Sequence, residues 1–334
     1  MDGLKIMENI PRIPFAHLPT PIEYLQRLTE FFGGPQIFIK LDDQTGLAGG
    51  GNKTRKLEFL IAAALDSGAK TLVTTGAVQS NLCRQTAAAA ARFGLDCILV
   101  LAGQRPATIT GNLLLDHLLS AEIIWTEGGP RDLILQQTFE RALNEHRAPY
   151  LIPYGGSSPI GAAGYVFAVQ ELIQQWQNSS YAATPIDWIV FASSSGGTHA
   201  GLAAGARIYD FQGQLLGISI DEPDAVLKQR VAELATNTLS VFGATGKIPV
   251  DDILVNTDYL GEGYGIAGEP EVNAILTFAR TEGILLDPVY TGRAAAGLIG
   301  LIKSGHIKRD ERVLFWHTGG SQALFADRYS GLWG

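Results

Sequence analysis

Cysteine is nearly absent: the 334 residues hold two, Cys83 and Cys97. Two are too few for a disulfide framework, so a reducing, cytoplasmic compartment is expected, with both thiols packed as small hydrophobes. Basic charge is also short. Lys and Arg number 25 against 33 Asp and Glu, a net charge of −8. Nucleic acid and anionic membrane call for basic patches, so neither is expected as a partner. No apolar run reaches the length of a bilayer span, and the longest, such as 86–91, reads as Ala-rich helix interior. The opening Met-Asp-Gly-Leu-Lys has no basic stretch ahead of an apolar one, so no secretory leader is expected. The six histidines, His17, His117, His146, His199, His306 and His317, show no metal-ligand spacing, and no metal is expected. Repeats, charge blocks and low-complexity linkers are missing as well.

What is present points to a large packed core. Hydrophobic residues make up 46% and glycines number 39, enough for one or two domains. Short β-branched runs alternate with helical stretches. Strands are expected at 37–41, 71–75, 97–101, 123–126, 150–152, 188–191, 215–220 and 313–316. Helices are expected at 52–65, 82–93, 111–119, 160–176, 197–207, 225–234, 271–281 and 293–303. Strand–helix alternation predicts an α/β fold of open, twisted parallel sheets with helices on both faces. Turns at 49–51 and 154–159 bracket about a hundred residues that could form an inserted unit. The expected division is a large domain of 1–50 plus 160–334 and a smaller α/β domain of 51–159. Trp176, Trp188 and Trp316 read as core.

The most informative segment is Gly49-Gly-Gly-Asn-Lys-Thr-Arg-Lys56, where three glycines stop and an apolar helix begins. Lys53 sits at the positive end of that helix beside Arg55 and Lys56, a field that disfavours its ammonium form. A neutral amine is what a Schiff-base lysine needs. The glycines allow close approach of a bulky planar ligand. Taken alone, the segment reads first as an ordinary helix start with a solvated basic turn, and the rest of the chain reverses that reading. A second segment, Ala192-Ser-Ser-Ser-Gly-Gly-Thr198, follows a buried strand and opens a helix. Successive backbone N–H groups, hydroxyls and the helix dipole there suit a phosphate. It is neither a Walker motif nor Gly-x-Gly-x-x-Gly, so a monophosphate cofactor is favoured over a dinucleotide. In Thr75-Gly-Ala-Val-Gln-Ser-Asn81, three hydrogen-bonding side chains, Gln79, Ser80 and Asn81, crowd one helix start, where a single residue would serve as a cap. Three further segments put Tyr or Thr beside glycines at element boundaries: Asp287-Pro-Val-Tyr-Thr-Gly-Arg293, His317-Thr-Gly-Gly-Ser321 and Gly261-Glu-Gly-Tyr-Gly265.

Together these segments resemble the fold-type II pyridoxal-phosphate enzymes, the tryptophan synthase β-like group. Within it they resemble the branch of D-cysteine desulfhydrase and 1-aminocyclopropane-1-carboxylate deaminase. The resemblance runs from Leu18-Pro-Thr-Pro21 to His317-Thr-Gly-Gly320, and Gly-Gly-Asn-Lys-Thr-Arg-Lys, Gln-Ser-Asn and Leu-Asp-Pro-Val-Tyr-Thr-Gly carry it most specifically. It implies that pyridoxal 5′-phosphate is the cofactor and Lys53 its Schiff-base lysine. Ser194, Ser195, Gly196, Gly197 and Thr198 would form the phosphate cup, with Lys56 assisting. Asn81 would bond the cofactor's 3′-oxygen, and Thr318 would face its pyridine nitrogen. Gln79, Ser80, Asn81, Tyr264 and Tyr290 would meet an amino-acid substrate, and Lys53, Ser80 or Tyr290 would move the α-proton. The cyclopropane deaminases carry an acidic residue after the loop tyrosine, where this chain has Thr291. A neutral hydroxyl leaves the ring less electron-withdrawing, which suits loss of a thiolate better than opening a carbon ring. The implied reaction is α,β-elimination of D-cysteine with water to pyruvate, hydrogen sulfide and ammonia. Cyclopropane-carboxylate deamination and cysteate sulfo-lyase activity are the alternatives, and a cytoplasmic homodimer is the implied form. The missing Gly-x-Gly-x-x-Gly argues against a nicotinamide oxidoreductase. Joint retention of Lys53, Ser80 and Tyr290 argues against a non-catalytic carrier.

Overall fold

A computed structural model describes residues 10–333. Residues 1–9, which open the expected large domain and were read for a leader, lie outside the described residues. In chain order the elements are β1 (Ile22–Tyr24), α1 (Gln26–Phe32), β2 (Gln36–Leu41), α2 (Asn52–Asp66), β3 (Thr71–Ala77), α3 (Asn81–Phe93), β4 (Asp96–Ala102), α4 (Gly111–Leu118), β5 (Glu122–Trp125), α5 (Arg131–Asn144) and β6 (Pro149–Leu151). They continue with α6 (Pro159–Gln177), β7 (Trp188–Ser193), α7 (Gly197–Tyr209), β8 (Gln214–Ser219), α8 (Asp224–Val241), β9 (Leu254–Asn256), α9 (Glu269–Glu282), α10 (Thr291–Lys303) and β10 (Arg312–His317).

Two sheets result. One has six strands in the order β1-β2-β10-β7-β8-β9, parallel throughout except for the β1–β2 pair. The other has four parallel strands in the order β5-β4-β3-β6, all drawn from the middle of the chain. Parallel sheets are covered on both faces, so their strands read as apolar runs and successive side chains serve opposite layers. Val313 and Phe315 of β10 join Trp188 and Val190 of β7 against α9 and α10. Leu314 and Trp316 join Ile189 and Phe191 against α6 and α7. Each large apolar side chain taken out of water in this way contributes about 1.5–3 kcal/mol. In the smaller sheet Leu72, Leu99 and Leu101 pack on α2 and α3, while Val73 and Ile98 meet Ala142 of α5 on the other face.

Helix α2 serves both bodies. Leu57, Leu60 and Ile61 pack under the smaller sheet, whereas Phe59 packs on Ala163 and Val166 of α6 and Leu239 of α8. The crossing with α6 is close because Gly164 lies there; a Cβ at that position would strike the Arg55 carbonyl. Cys83, Cys97 and the three tryptophans are buried, as expected.

Several elements differ from expectation. β1, α1, α5 and β9 were not anticipated. Helix α5 buries only Thr138 and Ala142 and leaves Leu133 and Leu143 exposed, so its apolar stripe is too thin to read. Helix α8 runs seven residues past its expected end, through Thr236, Thr238 and Ser240. The hydroxyls of Thr238 and Ser240 bond back to carbonyls one turn earlier, which lets poor helix formers continue it. Among the described residues no helix is long and apolar enough to cross a membrane.

Candidate active site

The carboxyl ends of β3, β7 and β10 and the amino ends of α2, α3 and α7 converge on one pocket, where sites in open α/β sheets form. Its lining includes Asn52 and Lys53 of α2, Ser80 and Asn81 of α3, Ser193 to Gly196 after β7, Thr198 of α7, Tyr264, Tyr290 and Thr318. Sequence-expected residues from six separate segments thus meet around one cavity.

The glycines ahead of Lys53 work differently from expectation. Gly49, Gly50 and Gly51 all have positive φ (82°, 71° and 125°). A Cβ on Gly50 would collide with the Asp43 carbonyl, and one on Gly51 would lie 2.8 Å from Gln85 Nε2 and 3.2 Å from Thr318 O. They make room for neighbouring protein rather than for a ligand. The turn is then fixed by Gly51 N donating to Asp42 O and Asn52 N donating to Thr318 O, each at 2.9 Å. This aims Lys53 into the pocket on a rigid helix start.

Lys53 is half-buried, and its pKa falls from the usual lysine range to about 8. The cause is desolvation, which penalises the ammonium form. The expected field of Arg55 is not the cause. Arg55 is neutralised by Asp42, with Nε to Oδ2 at 2.9 Å and Nη2 to Oδ1 at 2.8 Å, and by Glu171 at 2.9 Å. Lys56 is buried beside Lys53, and its Nζ donates to Gly155 O at 3.1 Å. Burial, then the Lys53 charge, pushes Lys56 well below the lysine range, while the hydrogen bond between the amines opposes the fall at Lys53.

The turn after β7 is held from both sides. Gly196 adopts the left-handed conformation (φ 87°) as the cap of α7, without a side-chain capping bond. Ser157 Oγ donates to Ser195 Oγ at 2.8 Å and accepts from Gly197 N at 3.0 Å. Thr198 Oγ1 accepts from Asn52 Nδ2 at 3.0 Å. Behind the turn, His199 Nδ1 lies 3.1 Å from Ser193 Oγ, and burial depresses its pKa to about 3, so it is a neutral imidazole.

On the opposite wall Ser80 caps α3 by accepting from Cys83 N at 3.2 Å, so it is both cap and lining. The Oδ1 of Asn81 accepts from Arg84 Nη1 at 3.0 Å and Asn112 Nδ2 at 2.9 Å. Tyr264 and Tyr290 meet hydroxyl to hydroxyl at 2.5 Å, and burial raises both pKa values. Four expected residues, Gln79, Thr291, Lys56 and Gly197, are not in the lining. Gln79 is occupied with α4, its Nε2 donating to Thr110 O and its Oε1 accepting from Asn112 N. Thr291 is fully buried with Oγ1 donating to Asp287 Oδ1 at 2.7 Å, and Asp287 also accepts from the amides of Val289, Tyr290 and Thr291. The Thr291–Asp287 pair therefore shapes the loop that presents Tyr290. Lys56 stands behind the turn, 2.9 Å from where a Cβ on Gly197 would lie.

The sequence model of the pyridoxal-phosphate dependent enzymes matches residues 13–319. The chain belongs to that family. A D-cysteine desulfhydrase of Salmonella typhimurium is 41% identical over 326 residues, covering 96% of this chain and 97% of the relative. A crystal structure of an ACC deaminase homologue superposes with a TM-score of 0.89 at 36% identity, covering 99% of this chain and 98% of the other. An L-serine ammonia-lyase of Rhizomucor miehei (TM-score 0.68, 95% of this chain and 98% of that one) and an O-ureido-L-serine synthase (0.65, 98% and 95%) are 16% identical each and share the fold alone. The fold is therefore that of the fold-type II pyridoxal-phosphate enzymes.

The residues present fit pyridoxal phosphate. The first amides of α7 have no intrahelical acceptor, and Ser194, Ser195, Thr198 and the Lys56 amine surround them, a donor set suited to a phosphate. Lys53 stands on the facing helix start as a low-pKa amine. Sequence reading missed Asn52 and Tyr154, which line the pocket, and Ser157, which holds the turn after β7. Asn52 had a local signal, adjacency to the lysine. Ser157 and Tyr154 had none beyond the glycine turn that holds them.

Proposed function

We propose that the chain is a carbon–sulfur lyase acting on D-cysteine by α,β-elimination, giving pyruvate, hydrogen sulfide and ammonia. The observation that carries this reading is the make-up of the pocket. Lys53 is the only lysine or arginine among its described lining residues, which also include Ser80 and the paired hydroxyls of the half-buried Tyr264 and Tyr290. Such a pocket takes a small zwitterion. Cysteate would need a further cation for its sulfonate, so the sulfo-lyase alternative loses support. Pyridoxal phosphate, when bound, supplies the sink for the electrons of the α-carbon. Lys53 Nζ, near neutrality at about pH 8, takes up the α-proton. The tyrosine hydroxyls stay protonated and orient the substrate rather than act as bases. Ser80 Oγ holds the substrate carboxylate, and Asn81 and Thr318 hold the cofactor ring. A thiol, with a pKa of about 8.5, departs without strong assistance. Thr291, already committed to Asp287, adds no acid to the ring, which supports elimination over opening of a cyclopropane.

The division into a large domain (1–50 plus 160–334) and a smaller one (51–159) belongs to the same proposal, as does a cytoplasmic homodimer. The confinement of one sheet to residues 71–151 supports the former. Size-exclusion chromatography tests the latter. The decisive experiment follows absorbance at about 410–420 nm on adding D-cysteine to the holoenzyme, with pyruvate and sulfide assayed together. Equal amounts of both, lost in Lys53→Ala, support the reading. A cofactor band with no sulfide discards D-cysteine.

A further inference from the structure

Arg84 is fully buried, yet it forms no ion pair among the described residues. Its Nη1 donates to three amide oxygens: Asn81 Oδ1 at 3.0 Å, Asn112 Oδ1 at 2.7 Å and Gln322 Oε1 at 2.5 Å. Its Nη2 donates to Gly50 O at 2.7 Å. A guanidinium has donors only. Each amide that meets it must therefore turn its oxygen inward and its NH2 away. For Gln322 the NH2 goes to Gly49 O at 2.9 Å. For Asn112 it goes to Gln79 O and to Asn81 Oδ1, both at 2.9 Å. Asn81, which lines the pocket, thus receives two donors on one oxygen, and its own NH2 lies beside Gly320, 2.8 Å from where a Cβ there would sit.

Two carboxyl groups lie near Arg84 without bonding it. Asp116 faces it from α4, and Asp287 from the loop before α10. Asp116 is buried, neither of its oxygens has a hydrogen-bond partner among the described residues, and desolvation raises its pKa to about 8. It is neutral at pH 7. Asp287 is engaged by three backbone amides and Thr291. Arg84 itself, lowered to about 10 by burial, stays charged.

We propose that Arg84 is a positioning residue of the cofactor pocket: it locks the Asn81 amide with its NH2 toward the ligand and places a positive charge, held in no direct ion pair among the described residues, behind that donor. The pocket then favours an anionic oxygen on the ring held by Lys53. In pyridoxal phosphate that is the phenolic oxygen next to the carbon that bonds Lys53. The inference rests on the reading of the pocket as the cofactor site and not on the substrate's identity.

The test is a pH titration of the absorbance of holoenzyme without amino acid, for wild type, Arg84→Met, Asn81→Ala and the double variant. A donor and a nearby cation favour the deprotonated oxygen, so removing them raises the pH midpoint of the bound cofactor. Arg84→Met is expected to raise it by about one unit, a tenfold change in proton affinity. Adding Asn81→Ala should give no further shift, because without Arg84 the Asn81 amide is no longer held toward the ligand. Arg84→Lys, which keeps the charge, should restore at least half. Apoenzyme should bind pyridoxal phosphate about tenfold more weakly in Arg84→Met. Asn112→Asp sets a carboxylate against Asn81 Oδ1 and Arg84, so it should raise the midpoint even if Arg84→Met fails to fold. An unchanged midpoint in Arg84→Met and Asn112→Asp overturns the proposal, as do fully additive shifts. A wild-type protein without a cofactor band overturns it together with the reading of the pocket.

Discussion

Two sets of cations in the chain have opposite surroundings. Arg55 and Lys40 are matched. Arg55 bonds both Asp42 and Glu171, Lys40 meets Glu171 at 2.5 Å, and Asp42 also accepts from Tyr165 at 2.6 Å and Trp316 at 2.8 Å. Lys53, Lys56 and Arg84 form no ion pair among the described residues: the two lysines meet each other and the Gly155 carbonyl, and Arg84 meets side-chain amides and the Gly50 carbonyl. The matched set ties β2, α2, α6 and β10 together and ends at itself. The unmatched set surrounds the pocket. A buried charge that is neutralised locally serves the architecture, while one left without a counter-charge is available to an anionic ligand.

The sharpest way to separate the sets is Lys53→Ala. Turnover should fall by at least about 10²–10⁴-fold, while the urea midpoint stays level or rises, since an unpaired buried amine has gone. The converse is Arg55→Met, which strands Asp42 and Glu171. It should cost about 3–5 kcal/mol in urea unfolding, and an unchanged midpoint would remove the distinction between the sets. A third measurement reads the unmatched amine directly. The rate at which apoenzyme takes up pyridoxal phosphate should rise with pH to a midpoint near 8, the pKa of Lys53. A midpoint close to 10.5, the ordinary lysine value, would mean that burial does not govern this amine. The smallest effect is in the acid limb. Arg55 holds Asp42 down from 3.8 to about 2 against the opposing effect of burial. Because the folded value is depressed, its contribution is complete above pH 4 and is lost as pH falls from about 4 to about 2. It amounts to about 2 kcal/mol. Denaturation curves at pH 5 and pH 2.5 should differ by this much more in wild type than in Arg55→Met.

The parts of this site that rest on local chemistry were legible in the sequence. A glycine turn before Lys53, a Ser/Gly turn after a buried strand and a Ser-Asn helix start all carry their meaning within a few residues. Their roles shifted where distant partners intervene. Gln79 sits at the expected place, but Asn112, thirty-three residues on, claims its side chain. Thr291 sits next to Tyr290, but Asp287 claims its hydroxyl. Arg84 gave no signal at all, since its partner Gln322 is 238 positions away. The strand–helix alternation fixed the class of fold, yet nothing local could say that β10 would lie between β2 and β7.

That placement has a consequence for synthesis. The smaller sheet is complete once residue 151 has emerged from the ribosome, and domains fold as they emerge. The larger sheet must wait with a gap at its centre until residues 312–317 arrive, and Thr318, which lines the pocket, arrives after them. A translation product cut short before that point leaves β2 and β7 each with a bare edge, a template for aggregation. Copies cut short there are therefore expected to aggregate rather than to persist as partial catalysts.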